Sequence, residues 1–436
     1  MKYFIPILFL EVYLIITLLI FEFGPVSYHV ELPFLFWGFM FIYLCSFLMG
    51  YIVAFITRSR SNRIVDGYFK NTQPSINRFK LIMVAALASS LLGFKGVDSI
   101  FDLLNPIFLF DSALSGIYSP GEAYNIKMER VNSQGQGNIL LSSVLFILAF
   151  SKVLIIPALV FMWDRLGRFS KFFAIFITLI PLLNGLSVGT NKSIFDFAIF
   201  YSSSLAVYFI HHYYRYGSFG FYKRKFFVFV FVFSFIGAFS FFGSAMSERG
   251  GNISYIENVS TLGEVTVNDS NGANDNFAYT TYVWLTTYVV QGYYGFSLSL
   301  TQDFTSTLGV GNSSFLTRQF ERITGENLSD LTYQHKIDAW WGETSQWHSF
   351  YSHFANDVHF IGVAFICLIL GFYLARLWIS IIDNSNFYAM LLMPLFVLMI
   401  VFIPANNQVF GFLETFSAFF MASIFWFHSV YIKSYR

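Results

Sequence analysis

Charged residues are scarce in this chain. Only 12% of its 436 residues are Asp, Glu, Lys or Arg, whereas 56% are hydrophobic and the mean hydropathy is +0.59. Because soluble domains carry about 25% charged residues, this composition excludes an ordinary soluble protein of the same length. The formal net charge of +1 gives no reason to expect a nucleic-acid partner.

Cysteine is nearly absent as well. Cys45 and Cys367 are the only two, and both fall in long apolar runs. The segments outside those runs therefore contain no disulfide and no thiolate for a zinc site, and we expect the two cysteines to serve in packing. No internal repeat is visible, which counts against transporter folds built from inverted halves.

What the sequence does contain is a series of apolar runs of roughly 17 to 25 residues, the length that crosses about 30 Å of hydrocarbon as a helix. Helix is required there because backbone groups in lipid must hydrogen-bond within their own segment. We therefore expect an all-α, polytopic membrane protein of about ten transmembrane helices. The predicted spans are 3–21, 33–57, 80–96, 138–163, 172–188, 193–213, 226–245, 359–377, 388–404 and 409–430.

The distribution of charge predicts the orientation. If the N-terminus lies inside, 17 of the 26 Lys and Arg fall on the inner side and 19 of the 25 Asp and Glu fall on the outer side. This asymmetry follows the positive-inside rule. Both termini are then expected in the cytoplasm.

Two outer segments, 97–137 and 246–358, are longer than a connection requires, and long loops usually carry function. The expected organisation is therefore residues 1–245 with seven spans and the smaller loop 97–137, then the large loop 246–358, which we expect to be partly helical, then residues 359–436 with three spans.

Within the large loop, residues 250–276 are rich in Asn, Ser and Gly and are predicted to be mobile. Residues 277–300 are amphipathic and aromatic, which predicts a segment lying along the membrane interface. The stretch 268–276 alternates oxygen-bearing side chains around Gly272. It lacks the closing Glu of a calcium loop, so a metal site there is not favoured.

Four charged residues lie inside predicted spans: Glu11, Lys152, Asp196 and Glu414. Charges at that depth face the bundle interior or water, as in a transporter or in an enzyme with a buried cleft. Lys192 precedes Asp196 by one helical turn, so an ion pair between them is an alternative to a functional role for Lys192.

Residues 318–359 carry the most chemistry. Arg318 and Arg322 are one helical turn apart, and arginine forks onto phosphate oxygens. An arginine pair on the acidic side of the membrane favours an anionic head group as ligand. The alternative is that the two arginines pair with Glu321 and Glu326.

The same region holds four of the eight histidines: His335, His348, His353 and His359. Unperturbed imidazole titrates near pH 6.5, so one of them has the chemistry of a general base for a sugar hydroxyl. Interfacial hydrogen bonding is the plain alternative. A metal cluster is a third, although the spacings match no standard zinc motif.

Residues 348–362 resemble the signature shared by bacterial O-antigen ligases and polymerases. That signature is His, then Asn, Ser or Gln, then nine residues, Gly, two residues, and a final Gly, Thr or Tyr. Here His348 and Ser349 open the motif and Gly362 closes it, while His359 replaces the inner glycine. We expect that glycine to allow tight packing at the start of a helix.

The whole chain is similar to O-antigen polymerases of the Wzy type in its number of spans, its late large loop and its short outward turn at 189–192. That family often has Gly-x-Arg at this turn, where this chain has Lys192. The resemblance implies a GT-C-like protein of the bacterial inner membrane and a glycosyltransferase that needs no metal or other cofactor.

The resemblance also implies the reaction and the partners. The substrates are glycan repeat units linked to undecaprenyl pyrophosphate, the nascent chain moves onto the terminal sugar of the next unit, and a polysaccharide chain-length regulator is a further partner. His348 is then the candidate base. The expected substrate-binding residues are Arg249, Arg318, Arg322, Lys192, Glu343 and His353.

Arg249 is included because it lies at the outer end of the seventh span beside Gly250 and Gly251, and a solvated anchoring arginine is the alternative. Two other functions stay open. The first is an O-antigen ligase, which shares the motif and uses lipid A core as the acceptor. The second is a flippase or solute transporter, in which case the chain is not an enzyme.

Overall fold

A computed structural model describes residues 2–58, 75–94, 105–133, 139–250, 256, 265–267 and 277–432. The chain is 80% helical, with fifteen α-helices and one two-stranded sheet among these residues. The predicted class, an all-α polytopic membrane protein, is confirmed.

The helices are α1 Ile5–Phe23, α2 Pro33–Ile56, α3 Ile76–Leu92, α4 Pro106–Tyr118, α5 Pro120–Ser133, α6 Ile139–Met162, α7 Arg168–Ser187, α8 Asn191–Tyr216, α9 Phe221–Gly250, α10 Phe277–Ser299, α11 Ser314–Thr324, α12 Tyr333–Lys336, α13 Phe350–Asn384, α14 Phe387–Phe402 and α15 Leu413–Phe427. Every predicted span overlaps one of these helices. Seven described helices are long and apolar enough to cross a membrane, namely α1, α2, α6, α7, α8, α9 and α13.

Local sequence explains where several helices begin and end. Pro33 starts α2, where its missing N–H costs nothing. Asn105 caps α4, since its Oδ1 accepts a hydrogen bond from the backbone N–H of Ile107 at 3.1 Å. Gly217 ends α8 with a φ of 69°, a left-handed conformation that glycine adopts without a steric cost.

The predicted interfacial position of residues 277–300 is wrong. This segment is α10, and most of its side chains are buried. Tyr293 Oη lies 3.1 Å from Oγ1 of Thr17 in α1, and the Phe296 ring packs 6.2 Å from the Tyr43 ring of α2. From Val290 onward every side chain of the helix is buried, so this part of it belongs to the helical core.

The two long loops, which the charge distribution predicts to face outward, are only partly described by the structure. The loop 97–137 contains α4 and α5. Of the segment predicted to be mobile, 250–276, the structure describes Gly250, Ile256 and the strand Val265–Val267, so that prediction and the stretch 268–276 lie largely outside the described residues. The strand, β2, pairs antiparallel with β1 (Val26–Tyr28).

Two compact units divide the chain. The first comprises Met1–Ile64, Gly250–Ile379 and Leu398–Phe412, and the second comprises Val65–Arg249, Ser380–Val397 and Leu413–Arg436. The signature segment 348–362 belongs to the first unit.

In the first unit, glycines bring α2 and α13 into close contact. A Cβ on Gly50 would lie 1.9 Å from the carbonyl oxygen of Leu368, and a Cβ on Gly371 would lie 2.1 Å from the carbonyl oxygen of Phe47. Both glycines are therefore needed for the backbones to pack at this distance, and together they fix α13 against α2.

In the second unit, charged side chains meet in pairs. Lys152 Nζ of α6 lies 3.6 Å from Glu414 Oε1 of α15. The guanidinium of Arg224 is almost fully buried, and its Nη1 donates to both carboxylate oxygens of Asp164 at 3.0 Å. Pairing of this kind is expected for charges that lie within a helical bundle.

Candidate functional site

His348 lies at the start of α13 in a fully enclosed position. Its side chain is 2% exposed, and Nε2 lies 3.4 Å from the carbonyl oxygen of Gly342. A Cβ on Gly295 of α10 would lie 3.0 Å from Nδ1 and 3.2 Å from the Trp341 ring, so glycine is what lets the imidazole pack there. Nδ1 is buried without a hydrogen-bond partner among the described residues.

Burial controls the protonation of this imidazole. The pKa of His348 is lowered from 6.5 to about 3, chiefly by desolvation and to a smaller extent by the nearby His353 ring, while the hydrogen bond with the Gly342 carbonyl acts in the opposite direction. His348 is therefore neutral at pH 7. Because the Gly342 carbonyl only accepts hydrogen bonds, Nε2 carries the proton and Nδ1 keeps a free lone pair.

His353 follows one turn later on α13. Its ring centroid lies 6.5 Å from that of His348 with the planes nearly perpendicular, and its side chain hydrogen-bonds to Asn406. The structure thus brings together His348 and His353, two of the histidines that the sequence singled out.

Ser349, the second residue of the signature, is the N-cap of α13. Its Oγ accepts a hydrogen bond from the backbone N–H of Ser352 at 3.2 Å, and its own N–H donates to the carbonyl oxygen of Gly292 at 3.2 Å. Serine and asparagine are preferred at this position because a short polar side chain satisfies an otherwise unpaired N–H. Ser349 therefore anchors the start of α13 against α10.

Asn356 ties three segments together. Its side-chain N–H groups donate to Gln334 Oε1 at 2.8 Å and to the carbonyl oxygen of Gly311 at 2.9 Å, while its Oδ1 accepts from the N–H of Tyr333 at 2.9 Å. The carbonyl oxygen of Asn356 accepts from the N–H of Thr307 at 3.1 Å.

Asp357 holds the loop Asp303–Asn312, which we call the tip loop. Its carboxylate accepts hydrogen bonds from Thr307 Oγ1 at 2.6 Å, from the N–H groups of Gly309, Gly311 and Asn312 at 2.9 to 3.0 Å, and from Asn312 Nδ2 at 2.8 Å. No sequence pattern assigned a role to Asp357 or to Asn356. The sequence feature that could have indicated this contact is the glycine-rich loop itself, because its adjacent backbone N–H groups can bind a carboxylate.

His359 interrupts α13. Its φ is 61° and its ψ is 164°, whereas the residues on either side are helical. This backbone region is essentially restricted to glycine, and position 359 is the one at which the O-antigen signature has its inner glycine. We expected glycine at this position to allow tight helix packing. The structure shows a conformational reason instead, since the chain bends here between two helical segments.

Arg318 and Arg322 lie on α11, one turn apart as predicted, and both are exposed. Glu321, the residue offered as their alternative partner, instead accepts hydrogen bonds from the N–H of Ser329 at 2.8 Å and from its hydroxyl. Within the described part of the chain neither arginine forms an ion pair.

Glu343 is engaged by a histidine. His335 Nδ1 lies 3.0 Å from Glu343 Oε2, and His335 Nε2 lies 3.6 Å from Asp330 Oδ1. The hydrogen bond with Glu343 raises the pKa of His335, with the negative charges of Glu343, Asp330 and Asp338 adding to it. This pair stands on the same segment as Gly342, whose carbonyl contacts His348.

Lys192 belongs to the second unit, in which its Nζ lies 2.6 Å from Asp196 Oδ2. The predicted i,i+4 ion pair is confirmed. The preceding turn contains Gly189 with a φ of 60°, and a Cβ there would lie 2.2 Å from the Pro120 carbonyl oxygen. The side chain of Arg249 lies outside the described residues.

No protein-family model matches the chain, and neither the curated proteins nor the solved structures provide a significant match. Inference about function therefore rests on the site.

Proposed function

We propose that this chain is a glycosyltransferase of the bacterial inner membrane that polymerises repeat units linked to undecaprenyl pyrophosphate into O-antigen or a related surface polysaccharide. The observation that carries the proposal is the backbone of His359. A glycine-restricted conformation stands at the position where the signature requires glycine, which supports aligning His348 with the first residue of that signature.

His348 has the properties of a proton acceptor. It is neutral at pH 7, and Nδ1 makes no hydrogen bond among the described residues. In the proposed step Nδ1 takes the proton of an acceptor sugar hydroxyl. The hydroxyl oxygen bonds to the anomeric carbon of the nascent chain, and the bond from that carbon to the pyrophosphate oxygen breaks, so the lipid pyrophosphate leaves with the electron pair.

The low pKa of His348 comes from its burial among protein atoms. A pyrophosphate beside the ring favours the imidazolium, because an opposite charge raises the pKa of a histidine. Substrate must also reach Nδ1, which is buried beside Gly295 of α10, so binding must open the packing at that point. His353, one turn along α13, is placed to contact the same substrate.

Phosphate binding falls to cations that have no acidic partner. Arg318 and Arg322 satisfy this condition among the described residues and project from one face of α11. Lys192 is a weaker candidate because Asp196 already neutralises it. Glu343 is occupied by His335, so its expected contact with substrate requires exchange of that partner.

The test is a purified system. The protein in proteoliposomes is given lipid-linked repeat units, and the products are separated by size. We expect the wild type to lengthen the glycan without any ion gradient, His348→Gln to abolish lengthening, and His29→Gln, which changes an exposed histidine of the same unit, to leave it intact. Full activity of His348→Gln would remove this residue from the mechanism.

The same proposal is tested in a cell that lacks its polymerase. If expression of this protein restores the lipopolysaccharide ladder, it polymerises the repeat units. If the strain makes only core capped with single units, polymerisation is absent. Complete absence of attached antigen in the deletion strain would instead identify a ligase. Movement of lipid-linked glycan across the bilayer without lengthening would identify a flippase.

A further inference from the structure

Leu308 lies near the middle of the tip loop and has an unusual backbone conformation. Its φ is 58°, a left-handed conformation, and its side chain is 72% exposed. Leucine seldom adopts this conformation, which suits glycine and asparagine. An exposed leucine in a disfavoured conformation suggests a partner that compensates for both.

Hydrogen bonds hold the backbone of the tip loop on both sides of Leu308, so the exposure of this side chain does not come from a loosely held loop. Five donors bind the Asp357 carboxylate on the far side of the loop. At the start of the loop, Lys336 Nζ donates to the Asp303 carbonyl oxygen at 2.6 Å and to Thr305 Oγ1 at 3.1 Å. These hydrogen bonds fix the backbone that presents Leu308.

The tip loop rests on the bend in α13. The Phe304 ring packs at 5.3 Å, nearly perpendicular, against the His359 ring, and Ser306 Oγ donates to the Asp357 carbonyl oxygen at 3.2 Å. Phe304 is itself 39% exposed. A partly exposed apolar ring of the tip loop therefore lies against position 359, four residues before the exposed Leu308 in the same loop.

Position 359 marks one end of an uncharged stretch of α13, which suits it to a boundary of the hydrocarbon layer. From His359 to Arg376 the helix advances 17 residues, which is about 26 Å at 1.5 Å per residue, close to the thickness of about 30 Å that the layer requires. Beyond the bend, Ile361, Phe365 and Ile369 form an exposed stripe at i,i+4 spacing. An exposed apolar stripe on a helix of this length is suited to face lipid, and the tip loop packs through Phe304 on His359, two residues before the stripe begins.

We infer that the tip loop is a membrane anchor, with Leu308 and Phe304 inserted among the lipid chains just below the head groups. Transfer of apolar side chains from water to that region is favourable and offsets the strained backbone of Leu308. The anchor also has a consequence for α11, which begins two residues after the loop. It holds Arg318 and Arg322 close to the membrane surface, whichever reaction the protein performs.

The test measures the depth of a spin label. Cys45 and Cys367 are replaced by alanine, and one nitroxide is attached at Leu308→Cys in liposomes of phosphatidylethanolamine and phosphatidylglycerol. Collisions with oxygen, which concentrates in lipid, are compared with collisions with a water-soluble nickel chelate. The same label at Phe365→Cys reports the lipid-facing stripe, and at Asn327→Cys it reports an exposed polar loop.

We expect the oxygen-to-nickel collision ratio at position 308 to be several-fold higher than at 327 and to approach that at 365. A ratio equal to that at 327 would overturn the inference. A label shielded from both reagents would also overturn it, because it would indicate contact with protein, such as a second copy of the chain.

A second label separates the anchor from the nitroxide's own affinity for lipid. With the nitroxide at Asp303→Cys, where Lys336 contacts only the backbone carbonyl, the ratio is measured with leucine and with asparagine at position 308. Since asparagine tolerates a positive φ, Leu308→Asn preserves the loop and removes only the apolar side chain. We expect the ratio at 303 to fall several-fold in Leu308→Asn, and an unchanged ratio would count against the anchor.

Discussion

The backbone N–H of Gly311 donates a 3.0 Å hydrogen bond to Oδ1 of Asp357, 46 residues further along the chain. A side chain at position 311 is excluded, since its Cβ would lie 2.0 Å from Thr307 Oγ1 and 2.9 Å from Asn356 Cβ. This contact joins the tip loop to α13 within the signature segment, so the loop and the segment that begins with His348 are one structural assembly.

Replacing the carboxylate tests that assembly. Asp357→Asn removes the negative charge and turns one acceptor oxygen into a donor facing backbone N–H groups, so we expect the free energy of unfolding to fall by about 2 kcal/mol. Thermal unfolding in detergent measures it. Asp303→Asn is the matched control, because the tip loop uses only the backbone carbonyl of Asp303, and equal losses in both variants would refute the role of the Asp357 carboxylate.

A glycine at position 359 should stabilise the protein. His359→Gly relieves the positive φ but loses the contact with Phe304, and we expect a net gain of about 1 kcal/mol. His359→Ala loses the same contact without relieving the backbone, so it should destabilise. Unfolding temperatures of the two variants, measured side by side, decide the matter, and a more stable alanine variant would contradict the strain at this position.

Stability should fall in acid because of His348. Its folded pKa of about 3 is lower than the unfolded value of 6.5, so between these pH values the unfolded chain binds more protons. The contribution of His348 is a loss of stability as pH falls from 6.5, up to about 1.4 kcal/mol per pH unit. Unfolding temperatures at pH 4 to 7 measure it, and we expect His348→Gln to reduce the slope.

His335 is the control for that pH dependence. Its folded pKa is raised by Glu343, so its contribution is present below pH 6.5 and is lost as pH rises through the folded pKa. His335→Gln should therefore leave the loss of stability below pH 6.5 no smaller than in the wild type. If His335→Gln flattens the acid slope as much as His348→Gln does, the slope does not arise from burial of His348.

The contact between α2 and α13 should reject even one methyl group. A Cβ at Gly50 would lie 1.9 Å from a backbone carbonyl oxygen that cannot move aside, so we expect Gly50→Ala to lower the free energy of unfolding by about 2 kcal/mol or more. Gly38 lies on the same helix with nothing within 4 Å of its Cβ position. Gly38→Ala should be neutral or slightly stabilising, and similar losses in both would argue against the close contact.

The sequence by itself determined the features that depend on neighbouring residues. The ends of α2 follow from the length of an apolar run and from Pro33, and the ion pair of Lys192 with Asp196 follows from i,i+4 spacing on one helix. Both depend on the period and rise of a helix and on the cost of unpaired backbone in lipid, which are the same in any chain.

Only the tertiary structure decided how distant segments meet. The aromatic residues of α10 are typical of a membrane interface, yet the helix is buried, because α1 and α2 supply partners that no local pattern specifies. In the same way, the enclosure of His348 depends on Gly295 and Gly342, and the role of Asp357 depends on a loop 46 residues away. Burial and pKa are set by what packs around a side chain, and that packing is fixed by contacts distant in sequence.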